Sequence, residues 1–190
     1  METHRHFVIY KPYGYLSQFV DNSSTKDKLL GRLHDFPDGT MAVGRLDEKS
    51  EGLIFLTTDG KLSDFIRGTG IEKEYYAQVD GIPTDEAIQN MQSGVEIGFD
   101  GIRYQTLPGR ARLLDTDPQI PDRGRKIRDE RHGPTSWVSL TIIEGKYRQV
   151  RKMTAAAGFP TLRLVRVRIG NTWLGQMQPG DVVEVSQFDI

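Results

Sequence analysis

The sequence contains no cysteine, which excludes disulfides and thiolate metal sites. Histidine is scarce as well. His4, His6, His34 and His132 are the whole supply, and none stands at ligand spacing apart from the terminal pair His4 and His6, so no metal is expected. There is no apolar run long enough to span a membrane. The N-terminus METHRHFVIYKP enters a strand-like stretch directly, without a signal-peptide pattern, so a cytoplasmic protein without a membrane partner is expected. Internal repeats and low-complexity segments are also missing. What remains is a chain of 190 residues, 37% hydrophobic and 27% charged, with 20 glycines and 9 prolines. That describes a soluble globular protein of one domain, or two closely packed halves, with ample core.

A formal charge of −1 and a pI near 6.4 argue against a polyanionic partner, but the distribution argues for one. Between Arg123 and Arg168 stand twelve basic residues against three acidic ones (Asp129, Glu130, Glu144), while the remainder has thirteen against twenty-three. A basic segment in an otherwise acidic chain confines nucleic-acid contact to one face. A solvated charged surface is the plainer alternative.

Chemistry concentrates in Ala42 to Gly60, AVGRLDEKSEGLIFLTTDG. Ala42, Val43 and Leu46 predict a short strand, with Arg45 and Asp47 projecting from one face. The apolar run Leu53-Ile54-Phe55-Leu56, bounded by Gly52 and Asp59-Gly60, predicts a strand covered on both faces and so a rigid support for a functional carboxylate. Asp47, Glu48 and Glu51 also admit two other readings, a solvated acidic turn or a metal-dependent phosphoesterase. The lack of converging histidine and aspartate ligands counts against the latter.

Elsewhere the chain predicts a strand at His6 to Tyr10, a turn at Lys11-Pro12-Tyr13-Gly14, and a short helix from Thr25 to His34 capped by Ser23 or Ser24 and stopped by Pro37. A helix follows at Lys61 to Arg67. Lys73 to Gly81 alternates as a strand with Tyr75, Ala77 and Val79 on one face and Tyr76 and Gln78 on the other. Thr84 caps a helix to Ser93, and short strands follow near Val95 to Ile97, Ile102 to Gln105 and Arg110 to Leu114. Asp115 to Gly133 reads as a long mobile loop whose Arg123, Arg125, Lys126, Arg128 and Arg131 are candidates to wrap an RNA backbone. After a strand at Ser136 to Ile143, a helix from about Tyr147 to Ala157 places Arg148, Arg151 and Lys152 on one basic face. Val150, Met153, Thr154 and Ala157 form its packing face, and Gly158 and Pro160 end it. Thr161 to Gly170 reads as a strand near the basic surface, with Trp173 and Leu174 covering the core and a last strand at Val182 to Val185.

Taken in order, these segments resemble the pseudouridine synthases, in the branch that modifies ribosomal RNA. GRLD with Ser50-Glu51-Gly52, the apolar strand and Thr57-Thr58-Asp59-Gly60 resembles the family's catalytic motif over nineteen residues without a gap. Lys11-Pro12-Tyr13-Gly14 is similar to its opening K-P-x-G turn, Lys73-Glu74-Tyr75 to its K-x-Y motif, and Glu144 to Met153 to its motif E-G-[KR]-x-R-Q-[VI]-R-[RK]-M. IRDERHGPTSW followed by EGKYRQVRKMTAAAGFPTLRLVR resembles members acting on the large subunit, whereas the tail after Gly170 matches less well.

The resemblance implies an α+β pseudouridine synthase fold, with two subdomains of mainly antiparallel mixed sheet flanked by helices around a central catalytic cleft. It implies one catalytic domain over 1–190, beginning without the small N-terminal RNA-binding domain that most relatives carry. The implied activity is isomerisation of a specific uridine in large-subunit (23S) ribosomal RNA, free or in a pre-ribosomal particle, by a monomer needing no cofactor. Asp47 would be the catalytic aspartate, as a nucleophile or as a base at ribose carbon 2. Tyr75 would stack on the uracil and assist proton removal, with a core aromatic as the plainer role and Tyr76 as the register alternative. Arg151 would pair with Asp47, with Gln149 supporting and Arg148 and Lys152 beside it. Arg45 would fill the gap left by the flipped nucleotide or hold that nucleotide, or simply pair with Asp47. Lys11 would meet phosphate or stay solvated. Small-subunit or other RNA, and a non-catalytic RNA-binding or assembly module, are the competing readings.

Overall fold

Residues 4–20, 28–68 and 70–190 are described by a computed structural model, in which the chain forms two units, Met1–Ile71 with Arg166–Ile190, and Glu72–Val165. In chain order the strands are β1 (His6–Lys11), β2 (Met41–Val43), β3 (Ser50–Thr57), β4 (Lys73–Asp80), β5 (Glu96–Phe99), β6 (Ile102–Gln105), β7 (Arg110–Leu113), β8 (Thr135–Ile142), β9 (Thr161–Ile169), β10 (Thr172–Trp173) and β11 (Val182–Val185). The α-helices are α1 (Gly60–Gly68), α2 (Asp85–Ser93) and α3 (Gln149–Ala156). The mixed α+β class expected from the sequence is the class observed.

In the first unit β1 lies between β11 and β3, antiparallel to both, and β2 pairs with the far half of β3. Every residue of β3 is buried, as a continuous apolar run covered on both faces requires. Phe7, Ile9, Ile54 and Leu56 join Leu30 in one cluster, with Phe19, Leu33, Phe36, Ala42 and Val182 packed around it. On the opposite face Phe55 stacks on Phe188, ring centroids 4.1 Å apart. The sheet order here is β11, β1, β3, β9.

In the second unit the order is β9, β4, β8, β7, with β5 and β6 as a separate hairpin. β4 and β8 pair antiparallel over their full lengths, Tyr75 opposite Leu140 and Asp80 opposite Thr135. Thr84 caps α2 by accepting the Ala87 amide at 3.2 Å, the role its side chain and position predict. β9 crosses the division, since Thr161–Val165 belong to this unit and Arg166 onward to the first.

Several expectations need correction. Of the helix expected over Thr25 to His34, only a 3-10 turn at Leu30–Arg32 forms among the described residues; Ser23, Ser24 and residues 25–27 lie outside them. Its backbone is committed elsewhere, because Leu16 donates to Lys28 O and Leu30 donates to Leu16 O in a strand-like bridge. α3 starts at Gln149, two residues late, because Arg148 adopts a left-handed conformation, φ 53°. Arg163, Arg166 and Arg168 are buried, not near a basic surface: they donate to Pro121 O, Leu53 O and Gly170 O, which compensates their desolvation. Trp173 remains half exposed while Leu174 is buried. Residues 115–133 hold no strand or α-helix, as expected, yet they are tethered. Arg163 donates to Pro121 O at 2.6 Å and Arg128 pairs with Asp80 at 2.6 Å.

Leu56→Ala should cost about 2–5 kcal/mol in urea denaturation, because it opens a cavity in the central cluster. Met41→Ala, at a partly exposed site, should cost less than about 1 kcal/mol.

Candidate active site

Arg45 and Asp47 follow β2 instead of lying in it. Ser17 decides this: its buried hydroxyl donates to Leu46 O at 2.7 Å and accepts the Leu46 amide at 3.1 Å. These bonds take both backbone groups of Leu46 out of any ladder, and the buried Leu46 side chain pins the segment inward. The half-buried Asp47 then closes a turn onto β3. Its Oδ1 accepts the Lys49 amide at 3.1 Å, its Oδ2 accepts the Ser50 hydroxyl at 2.7 Å, and its carbonyl accepts the Ser50 amide at 3.0 Å. Such local bonding fixes the carboxylate before any substrate arrives. Arg45 is exposed and makes no ion pair among the described residues.

Beneath the turn lies Lys11, fully buried. Its Nζ donates to Ser50 O at 2.7 Å, Pro12 O at 3.1 Å and Glu48 O at 3.3 Å. A lysine so placed has no route to RNA phosphate, so the expectation of a backbone contact is withdrawn. Desolvation lowers its pKa from 10.5 to about 8, opposed by the charges of Asp47, Glu51 and Glu48 and reinforced by Arg166. Gly52, at φ 105°, sits against β9: a Cβ there would stand 2.3 Å from Arg166 O. Only glycine fits both the backbone angle and the space.

The second unit presents the other expected residues. Tyr75 is buried on the same face of β4 as Ala77 and Val79, and Tyr76 is half-buried on the opposite face. Arg151 is half-buried on α3. Gln149 is buried; its Nε2 donates to Glu144 Oε1 at 2.7 Å and its Oε1 accepts the Lys146 amide at 3.0 Å. Glu144 also accepts the Leu107 amide at 2.8 Å and the Tyr104 hydroxyl at 2.5 Å, and the latter bond raises the Tyr104 pKa. Glu144 was given no role of its own from the sequence; its signal was its place as the first residue of the motif Glu144 to Met153. Of the expected RNA-backbone candidates, Arg125 and Lys126 are exposed and Arg123 half-buried. Lys152 donates to Gly98 O at 2.7 Å. Arg128 is a correction: it is held inward, with its terminal nitrogen bonded to Asp80 and to the Gly133 and Pro134 carbonyls.

Among the described residues no three His, Cys, Asp or Glu side chains converge as a metal ion would require. A carboxylate in a rigid turn, with an exposed arginine two residues before it, suits covalent or proton-transfer chemistry on a polyanionic substrate. A family model described as RNA pseudouridylate synthase matches residues 5–156. The chain belongs to that family.

This pseudouridine synthase is 40% identical over 189 residues to the "Ribosomal large subunit pseudouridine synthase E" of Vibrio parahaemolyticus serotype O3:K6, covering 97% of this chain and 75% of the relative. The protein of the same name from Xanthomonas axonopodis pv. citri is 43% identical over 174 residues, covering 90% and 89%. A crystal structure of a pseudouridylate synthase aligns with TM-score 0.76 at 26% identity, covering 97% of this chain and 71% of that one. The enzyme is an RNA pseudouridine synthase, an isomerase that rearranges uridine within RNA.

The buried lysine makes a pH prediction for the synthase. Its folded pKa is below its unfolded value, so a penalty is fully present below about pH 8 and is relieved as pH rises towards 10.5. Unfolding free energies measured against pH for wild type and Lys11→Met should therefore diverge above pH 8. Wild type should gain up to about 3 kcal/mol relative to the variant; a constant difference would contradict the assigned burial of charge.

Proposed function

We propose that this synthase isomerises one uridine of large-subunit (23S) ribosomal RNA, as a cytoplasmic monomer, with Asp47 as the catalytic aspartate. The observation that carries the reading is the fixed Asp47 turn in a chain 40–43% identical to proteins named ribosomal large subunit pseudouridine synthase E. The bond from ribose carbon 1 to base N1 breaks, the uracil rotates, and carbon 1 rejoins at C5. N1 gains a proton and C5 loses one, so atoms and electrons balance without an oxidant or an added group. Asp47 serves as nucleophile, or as base at ribose carbon 2.

Tyr75 is assigned to stacking on the extruded uracil, and Arg151 to keeping the catalytic carboxylate ionised. Gln149 supports the start of α3 through Glu144, and Arg148 stands at its cap. The exposed Arg45 holds the flipped nucleotide or fills the gap it leaves, in preference to pairing with Asp47. Arg123, Arg125, Lys126 and Lys152 supply backbone contacts.

A pseudouridine map of ribosomal RNA from a strain lacking the protein, complemented with wild type or Asp47→Asn, tests the proposal. One large-subunit pseudouridine should vanish and return only with wild type. An unchanged map would remove ribosomal RNA as substrate, and restoration by Asp47→Asn would remove Asp47 from the mechanism.

A further inference from the structure

The turn between β8 and α3 carries an aromatic ring that the fold leaves largely exposed. Tyr147 is 69% exposed, with Ile143 at 40% and Leu107 at 45% nearby in the chain or across the Glu144 bond. The base of the turn is rigid. Glu144 is bonded to Gln149, Tyr104 and the Leu107 amide, Gln149 donates its own amide to Lys146 O and accepts the Lys146 amide, and Arg148 closes the turn at φ 53°. A non-glycine residue at positive φ is uncommon and strained, and such strain marks functional turns. A surface tyrosine held outward on such a base keeps most of its ring uncovered within the unit.

Its surroundings say what would cover it. Lys152 Nζ lies 5.3 Å from the Tyr147 ring centroid and is itself anchored on Gly98 O. Lys146, one residue before the ring, has its Nζ 4.9 Å from the Tyr104 centroid. Aromatic faces interleaved with lysines match a single-stranded nucleic acid, whose bases have π-faces and whose phosphates are anionic. An apolar protein partner would not call for the cations, and a duplex would offer no base face.

We infer that Tyr147, flanked by Lys146 and Lys152, is a stacking platform for an unpaired nucleotide of the RNA substrate other than the reacting uridine. The inference rests on the reading that this synthase acts on ribosomal RNA. The platform contributes to affinity and to the placing of RNA along α3, and it takes no part in the bond changes.

The test uses the full chain and unmodified transcribed large-subunit ribosomal RNA, measuring Kd by filter binding and KM and kcat by pseudouridine formation. Tyr147→Ala should weaken Kd about 5- to 100-fold, with the loss in KM and not in kcat. Tyr147→Phe, which keeps the ring, should restore binding to within about twofold. Lys146→Gln should lower the slope of log Kd against log salt by about one. Equal affinities for wild type and Tyr147→Ala would overturn the inference and leave the ring to a protein partner. A loss in kcat alone, a Tyr147→Phe as weak as Tyr147→Ala, or an unaltered salt slope would also overturn it. If wild type forms no pseudouridine in this RNA, the substrate reading fails by itself, while the Kd comparison still decides the platform.

Discussion

The Asp47 turn depends on a close backbone approach at the start of β3. Gly52 stands opposite Lys11 in the β1 ladder, and its missing side chain leaves room for Arg166 O, which a Cβ would meet at 2.3 Å. That crowding sets the path of β3 between β1 and β9. Ser50, two residues earlier, is thereby placed where its amide and hydroxyl close on Asp47. The placing of the Asp47 carboxylate is thus delegated to backbone packing.

Charge burial is the second element of the account. Lys11 and Arg166 are both withdrawn from water, and both offset part of their desolvation by donating to backbone carbonyls of the Asp47 to Leu53 stretch. Glu51 is buried in the same place. These groups tie the Asp47 turn to the core of its unit. A buried lysine with a lowered pKa often signals catalysis, but here three carbonyls accept hydrogen bonds from its Nζ, and its role is to hold the turn.

Much of the fold was legible in the residues because its signals are local. The run Leu53 to Leu56 dictated a strand covered on both faces, the alternation of Tyr75, Ala77 and Val79 dictated the face of β4, and Thr84 marked the start of α2. What was not legible depends on distant partners. Nothing in Thr25 to His34 reveals that Leu16 takes the backbone of Lys28 and Leu30, nor does Leu46 reveal that Ser17 removes it from a strand. The same limit explains the arginines of β9 and the loop residue Arg128, which composition alone assigns to a basic surface. Arg163, Arg166 and Arg128 each find an acceptor far away in sequence, and Arg168 finds one two residues on. Motif resemblance put forward Asp47, Tyr75 and Arg151 as candidates, which the residues alone do not derive. It contained Ser50 and Glu144 without indicating their bonds to Asp47 and Gln149, and it did not include Ser17, which holds Leu46.

The most direct measurement of Asp47's role is single-turnover conversion of transcribed large-subunit RNA by purified enzyme at saturating concentration, alongside RNA affinity. Asp47→Asn should lower the rate at least about a thousandfold while Kd stays within a few-fold of wild type, a loss confined to the transition state. Conversion by Asp47→Asn at the wild-type rate would contradict the account and require a different reactive group.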